Sequence, residues 1–298
     1  MNNIIILSGG GGEGIGIELG MIITLHDYLS KRSEKIDAII GTSAGSFVGA
    51  WYCLDPTYQG LMLGKQIYLD LTETKVFGKF AEIKATFKSI ILKFDPNAYD
   101  SILDGAEYEK FLRSLFSDKN ISECLIPYAA VGVDISAEAV VVYNSQIDNA
   151  PIWKSIFAST AQVPYLPPLY EEKSTVIDGG LSFVVPVEVA LDLFKPDRIW
   201  VVMASKAFQT PNKEQIHGIQ NITDHAKSTV VNENAEASIV LARNPDDGIE
   251  SHIIFTEDAP PMKDFTDFFN HLPELVEYGE TKMAEYLKHP TPQYLCRL

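Results

Sequence analysis

The sequence predicts an α/β fold, a three-layer α/β/α sandwich around a mostly parallel central sheet. Two observations lead to this prediction. Short apolar runs, typical of strands that are buried on both faces, alternate with longer amphipathic stretches that are typical of helices. Glycine-rich and small-residue turns separate the first two runs from the stretches that follow them, as in strand–helix–strand units.

The elements are expected in a regular order along the chain. Residues 4–7 form the first buried strand, and after four glycines residues 17–29 form a helix. Residues 37–40 form the second strand, and the next helix runs through Trp51. Further strands are expected at residues 128–135, 139–143, 174–177, 198–203 and 252–256, and helices at residues 186–193 and 264–287, the last interrupted near Pro273.

Composition and charge narrow the classes of function. With 46% hydrophobic and 21% charged residues, the chain has the composition of a core-forming globular protein. The formal net charge of −16 argues against nucleic acid as a partner and against unaided adhesion to anionic lipid. Without repeats or linkers, residues 1–298 are expected to form a single domain. Within it, residues from about 60 to 105 are a candidate lid or membrane-facing segment, and those from about 205 to 298 a helical C-terminal part.

Cysteine usage and the start of the chain predict the compartment. Cys53, Cys124 and Cys296 are scattered and odd in number, which fits neither a disulfide framework nor a zinc site. The start has no basic region before its short apolar run, and no segment approaches the roughly 20 apolar residues of a membrane span. A soluble cytoplasmic protein is expected, able to act peripherally at a membrane, with export by a signal-free route left open.

The pentapeptide GTSAG, residues 41–45, matches the nucleophile-elbow pattern G-x-S-x-G between a strand and a helix. Gly41 and Gly45 remove side chains that would clash in a tight strand-to-helix turn, which would hold the hydroxyl of Ser43 toward a substrate. The helix that follows directs its positive end at an anion formed during attack. The alternative is an ordinary tight turn with a serine cap.

A serine needs a base to take its proton, and the sequence offers two kinds. Five of the six histidines follow Ser43, as a Ser–Asp–His order would require. Four of them are candidates for the base, but none lies in a recognisable motif: His217, His225, His252 and His271. His26 precedes the serine, and a conventional triad therefore lacks support.

Asp178 is the better candidate for the base. It ends the expected strand at residues 174–177 and is followed at once by Gly179 and Gly180, so we expect it at the same sheet edge as Ser43, open to close approach. If partly desolvated, its carboxylate could accept the serine proton directly. The alternative is an Asp–Gly turn of a hairpin.

Consecutive glycines at residues 9–12, followed by Glu13 and Gly14, form the third motif. Backbone N–H groups in such a run can point into open space and bind a negatively charged oxygen. Gly9, Gly11 and Gly14 also match the dinucleotide fingerprint G-x-G-x-x-G. That alternative requires an acidic ribose ligand after the second strand, where this chain has Gly-Thr-Ser instead.

With these three motifs in this order, the chain resembles the patatin-like phospholipase family, which carries G-G-G-x-R/K-G, G-x-S-x-G and D-G-G/A motifs. The stretch ASTAQVPYLPPLYEEKSTVIDGGLSFVVPVEVA is similar to the family's surroundings of its aspartate, including Ser159, Pro164, Pro167 and Pro186. The closing LPELVEYGETKMAEYL is similar to its C-terminal helix.

The resemblance implies a Ser–Asp dyad that works without histidine, catalytic metal or other cofactor. Ser43 would attack an acyl ester, Asp178 would be the general base, and the amides of Gly10, Gly11 and Gly12 would form the oxyanion hole. It implies hydrolysis of fatty-acyl esters of phospholipids or lysophospholipids. Two alternatives within the same fold are an acyltransferase and a catalytically weak binding or regulatory member.

Three departures from the family pattern concern the oxyanion geometry and the head-group preference. Glu13 stands where the family has Arg or Lys, Gly20 lies one residue further along than usual, and Phe183 or Val184 stands where the family often has asparagine. None of these positions belongs to the dyad.

The segment from Lys75 to Phe94 carries positive charge in an acidic chain. Five apolar residues recur at steps of three and four, as on one face of a helix: Phe80, Ile83, Phe87, Ile90 and Phe94. Five lysines against the single Glu82 make the segment +4: Lys75, Lys79, Lys84, Lys88 and Lys93. Such a helix could contact a membrane surface or act as a lid, and the alternative is packing on the core.

Overall fold

A computed structural model describes residues 2–204, 219–243, 248–256 and 258–292 of the chain. Within these ranges eight strands form a single sheet: β1 Asn3–Leu7, β2 Ala38–Thr42, β3 Tyr128–Asp134, β4 Ala139–Asn144, β5 Leu169–Tyr170, β6 Thr175–Asp178, β7 Arg198–Met203 and β8 Glu250–Phe255. Their order is β5-β6-β3-β2-β1-β7-β8, with β4 also pairing with β3. The strands β3, β2, β1, β7 and β8 are parallel, whereas β4 and β6 run antiparallel to β3.

Helices cover both faces of this sheet: α1 Gly11–Ser30, α2 Ala44–Leu54, α3 Tyr58–Leu69, α4 Glu73–Phe77, α5 Ala81–Leu92, α6 Gly105–Phe116, α7 Ile152–Thr160, α8 Gly180–Phe183, α9 Val187–Phe194, α10 Ile219–Ala242 and α11 Leu272–Lys288. Successive residues of β1 alternate between two cores, because Ile5 packs with α1, α2 and α11 and Ile6 packs with α9 and α10. The expected three-layer sandwich with a mostly parallel sheet is confirmed.

The first helix starts earlier than expected. We expected a loop at residues 9–12 and a helix from residue 17, but α1 begins at Gly11. Tertiary contacts outweigh the poor helix propensity of glycine here. A Cβ atom on Gly12 would overlap the ring of Phe268, and one on Gly16 would overlap Tyr68, so these positions require glycine for close packing.

The expectation of one continuous helix from Lys75 to Phe94 is wrong. The segment forms α4 and α5, which are separated by Gly78 with φ +83° and Phe80 with φ +62°. Left-handed backbone at both positions ends one helix and redirects the next. The expected interruption near Pro273 is present: a short 3₁₀ helix ends at Asn270, and α11 begins at Leu272 with Pro273 in its first turn.

Within the described ranges, no helix combines the length and the apolar character that a membrane crossing requires.

Candidate active site

Strand β2 ends at Thr42, and the chain turns at Ser43 directly into α2. Ser43 has φ 53° and ψ −118°, a backbone conformation that L-residues rarely adopt, and its side chain makes no capping hydrogen bond. A Cβ atom on Gly41 would overlap the backbone of Gly45, and one on Gly45 would lie 2.5 Å from the Cβ of Leu7. The turn therefore has the strained geometry of a nucleophile elbow.

Pairing along β3 brings Asp178 to this turn. Strand β4 occupies one edge of β3. The other edge of β3 pairs first with β2, where Thr42 lies opposite Val131. It then pairs with β6, where Asp178 lies opposite Gly132. Strands β2 and β6 thus meet end to end along the same edge. This placement of the two strands makes Ser43 and Asp178 neighbours, although they are far apart in the sequence.

The expected route of Asp178 to the site was wrong in one respect. Strand β6 is antiparallel, so its carboxyl end points into the sheet and not out of the edge shared by the parallel strands. Asp178 reaches Ser43 because β2 stops at this level and leaves the edge of β3 free. The chain continues from Gly180 as α8, so the alternative of a hairpin turn at Asp178 is not what forms.

The carboxyl group of Asp178 is buried, with 8% of the residue exposed. Burial raises its pKa to about 6, while hydrogen bonding to the Ser43 hydroxyl and to the backbone N–H of Gly180 limits the rise. The N–H of Gly180 donates to Asp178 Oδ1 at 2.6 Å. A carboxylate with this pKa is ionised at neutral pH and is a stronger base than an exposed aspartate.

The C-terminal end of α7 holds both residues of this pair. The backbone N–H of Ser43 donates to Ser159 Oγ at 2.9 Å, and this hydroxyl donates to the carbonyl of Val131 at 2.6 Å. Two residues further on, the carbonyl of Ala161 accepts a hydrogen bond from the N–H of Asp178 at 3.1 Å. In the sequence, Ser159 stands out only as part of the family-like stretch, and no role was expected of it.

The glycines at the start of α1 lie beside Ser43. Gly9 is engaged, because its N–H donates to the carbonyl of Val184 at 2.8 Å. In the described part of the chain, no protein acceptor pairs with the N–H groups of Gly10, Gly11 or Gly12. These groups lie at the positive end of α1, where a helix binds anions.

Phe183 and Val184, one of which stands where the family often has asparagine, connect these loops through their backbone. The carbonyl of Phe183 accepts a hydrogen bond from the Thr42 hydroxyl at 2.7 Å. The carbonyl of Val184 accepts the hydrogen bond from the backbone N–H of Gly9. Both the elbow and the glycine segment are therefore anchored to the chain that follows Asp178.

Two cavities meet at Ser43. The first is a narrow cleft of about 60 Å³ with a mainly apolar and aromatic lining, which includes Phe47, Val76, Phe77, Tyr108, Phe111 and Phe268. The second is open, has a volume of about 730 Å³ and is lined by Asp178, by the glycines 9–11 and by charged side chains, which are Glu13, Lys227 and Asp264. An apolar and a polar part of one molecule could thus lie on either side of the Ser43 hydroxyl.

Three of the described histidines have side-chain partners away from Ser43. Nδ1 of His26 lies 2.9 Å from the Tyr52 hydroxyl, and His252 stacks on Trp200 and contacts Glu250 and Tyr286. Nδ1 of His271 lies 2.9 Å from Glu274. None of the described histidines lines either cavity, and His217 lies outside the described residues.

The sheet is mostly parallel, and its strained serine elbow lies beside a buried carboxylate and the glycine amides at a helix start. This arrangement is typical of α/β hydrolases that act on acyl groups. A family model described as patatin-like phospholipase matches residues 5–191. The chain belongs to this family. This membership supports lipid-ester hydrolase activity in general.

Two relatives and one solved structure illustrate the similarity. Patatin-like phospholipase domain-containing protein 7 of Rattus norvegicus is 27% identical over 192 residues, which are 63% of this chain and 13% of that protein. Neuropathy target esterase of Drosophila melanogaster is 24% identical over 196 residues, or 64% of this chain and 12% of that protein. The chain thus spans about an eighth of the length of these relatives.

The structure of human GIVD cytosolic phospholipase A2 aligns with 96% of this chain and 59% of its own chain, at a TM-score of 0.52 and 10% identity. At this identity the likeness concerns the fold alone.

Proposed function

We propose that this protein is a lipolytic serine acyl hydrolase, a carboxylic-ester hydrolase of the phospholipase A or lysophospholipase type. Its substrates are fatty-acyl esters of phospholipids or lysophospholipids. The observation that carries the proposal is the meeting of the Ser43 hydroxyl with the buried Asp178 carboxylate, whose pKa is raised to about 6. The names of its relatives, a phospholipase domain-containing protein and an esterase, agree with an ester substrate.

In the first half of the reaction, Ser43 Oγ attacks the carbonyl carbon of the ester while its proton passes to Asp178. The carbonyl oxygen becomes negatively charged and accepts hydrogen bonds from the amides of Gly10, Gly11 and Gly12. When this intermediate collapses, the bond to the alcohol oxygen breaks, and Asp178 returns the proton to the departing oxygen. An acyl ester on Ser43 remains.

In the second half, water attacks the acyl group as Asp178 removes one of its protons. The bond between the acyl carbon and Ser43 Oγ then breaks, the fatty acid leaves, and the proton on Asp178 returns to Ser43. One carboxylate thus serves both halves as base and then as acid, so neither a histidine nor a metal ion takes part.

The two cavities suit the two parts of such a substrate. The aromatic cleft would take the acyl chain, and the wider cavity with Glu13, Lys227 and Asp264 would take the leaving alcohol with its head group. The proposed partner is therefore a phospholipid. The protein would work in the cytoplasm and contact a membrane surface transiently through the segment from Lys75 to Phe94.

Two substitutions test the dyad. Ser43→Ala and Asp178→Asn are each expected to lower kcat for ester hydrolysis by at least about 10³-fold, while Asp192→Asn, at an exposed position of α9, leaves it unchanged. A fluorophosphonate should label the wild-type protein and not Ser43→Ala. Retention of activity in either dyad variant would disprove the mechanism. Acyl transfer to an added alcohol in preference to water would favour the acyltransferase alternative.

A further inference from the structure

Helix α5 exposes an apolar face. Within the segment from Lys75 to Phe94, five large apolar side chains are between 50% and 86% exposed: Phe80, Ile83, Phe87, Ile90 and Phe94. At 100° per residue they fall within an arc of about 80°. The only buried residue of α5 is Ala81. Packing of this face on the core, the alternative left open by the sequence, is wrong for the described residues.

The opposite side of α5 attaches the helix to the protein. Lys88 Nζ donates to the carbonyls of Ser101 and Leu103, and Lys84 lies 3.9 Å from Asp104. These contacts fix which face of α5 points outward. The apolar face is therefore directed away from the protein by the fold.

Lysines lie beside the apolar face at both ends of α5. Lys79 precedes Phe80 at the N-terminal end, and Lys93 directly follows the last residue of the helix. This cationic segment belongs to a protein of net charge −16, so it differs in sign from the molecule as a whole. Apolar side chains between lysines match the interface of a bilayer, in which acyl chains lie beneath anionic head groups.

The face adjoins the cleft that leads to Ser43. Helix α4 precedes α5 by only three residues, and its Val76 and Phe77 line the aromatic cleft. A bilayer that contacts α5 would consequently lie next to the wall of the cleft. This continuity distinguishes α5 from single exposed apolar residues such as Ile147 or Leu125, which have no such neighbourhood.

We propose that α5, with Phe80 and Phe94 at its ends, is the surface by which this protein docks on a bilayer that contains anionic lipid. The five apolar side chains enter the head-group region, and Lys79 and Lys93 contact lipid phosphates and carboxylates. This inference names the partner of the proposed function and rests on it. Because binding is measured without turnover, the two can fail separately.

The test is sedimentation with phosphatidylcholine vesicles that do or do not contain phosphatidylserine, with Ser43→Ala as the background so that the lipid stays intact. Replacing Phe87 and Phe94 by serine is expected to weaken binding by roughly tenfold for each phenylalanine. The matched control replaces Leu125 and Ile147, equally exposed but outside α5, by serine and is expected to bind as the background does.

A second pair of variants tests the charge. Lys79→Glu with Lys93→Glu should abolish the preference for phosphatidylserine vesicles, whereas Lys31→Glu with Lys35→Glu, exposed at the end of α1 and beyond it, should not. Thermal unfolding of every variant verifies folding. Unchanged binding of the double serine variant would overturn the proposal. The proposal would also be overturned if light scattering shows that the protein is a dimer, if the double serine variant is a monomer, and if neither protein binds vesicles.

Discussion

Burial of Asp178, the proposed base, has a cost to stability. Its pKa in the folded protein is raised to about 6 from an ordinary value of 3.8, because burial disfavours the charged form. The folded state therefore holds the proton more tightly than the unfolded chain does. Stability decreases as pH rises from about 4 to 6, and the loss persists at neutral pH. A shift of this size corresponds to roughly 3 kcal/mol.

Asp178→Asn should consequently stabilise the fold while it abolishes activity. The amide keeps an oxygen for the N–H of Gly180 and carries no charge, so the free energy of unfolding at pH 7 is expected to rise by roughly 2–3 kcal/mol. At pH 4 and below the two proteins should be nearly equal. Chemical denaturation at both pH values measures this, and equal stability at pH 7 would contradict the raised pKa.

Ser159 illustrates how a residue outside the reaction can position it. Its hydroxyl is fully buried and bridges the N–H of Ser43 and the carbonyl of Val131, at 2.9 and 2.6 Å. It supplies the carbonyl of Val131 with a partner just where β2 turns away from the sheet. The elbow at Ser43, whose backbone angles cost about 1–3 kcal/mol, needs such support from its surroundings.

Ser159→Ala is expected to lower kcat by about tenfold or more with little change in KM, because Ser159 lines neither cavity and acts only on the position of Ser43. Ser155→Ala is the matched control. Ser155 is equally buried on α7 but bonds the carbonyl of Ile152, so its loss should lower Tm without lowering kcat. A similar kcat for both variants would indicate that Ser159 has a structural role only.

At the scale of elements, α1 and α11 approach each other more closely than side chains would allow. A Cβ atom on Gly20 would overlap the carbonyl oxygen of Val276, and one on Gly279 would overlap that of Ile17. The family-like C-terminal helix is thus held directly against the helix whose first turn carries the glycine amides.

Gly279→Ala should force these two helices apart. Overpacking of this kind costs about 1–3 kcal/mol, and we expect Tm to fall by several degrees. Ala284→Leu adds a larger side chain at an exposed position of the same helix and should leave Tm nearly unchanged. Differential scanning calorimetry compares the two, and an unchanged Tm in Gly279→Ala would show that the contact is adaptable.

The sequence predicted the order of most elements and failed where long-range contacts decide. Strands of four to seven residues in β1, β2, β3, β6 and β7 were predicted nearly at their observed bounds, because continuous apolar runs identify them. The start of α1 at Gly11 and the break at Gly78 were missed. At both positions tertiary packing determines the backbone conformation, and local helix propensity predicts a different one.

Prediction of the candidate site shows the same limit. Ser43 and Asp178 were selected because motif, spacing and flanking elements coincide in the sequence. The antiparallel direction of β6 and the bridge from Ser159 to Ser43 were not predictable, because both depend on contacts between segments that are distant in the sequence. Their assignment as a catalytic dyad stays a prediction for the variants described above.

In the whole molecule, the aromatic cleft is formed by parts of the chain that are distant from one another. Residues of α2, α4, α6 and the turn at Asp267–Asn270 line it, and Phe77 contacts the rings of Tyr108, Phe265 and Phe269. Its volume of about 60 Å³ holds a few water molecules, which is too little for a long acyl chain. We therefore expect the cleft to widen when such a chain enters.

We expect α4 to be the wall that moves, because it is five residues long and continues into the exposed α5. Contact of α5 with a bilayer would thus bias the cleft toward its open form, since only the open form gains the acyl chain. Without vesicles, kcat/KM for soluble p-nitrophenyl esters is expected to fall from butyrate to octanoate. Anionic vesicles, or Phe77→Ala, which removes part of the wall, should reverse this order. A preference for octanoate in wild-type protein without vesicles would mean that the cleft already opens in solution.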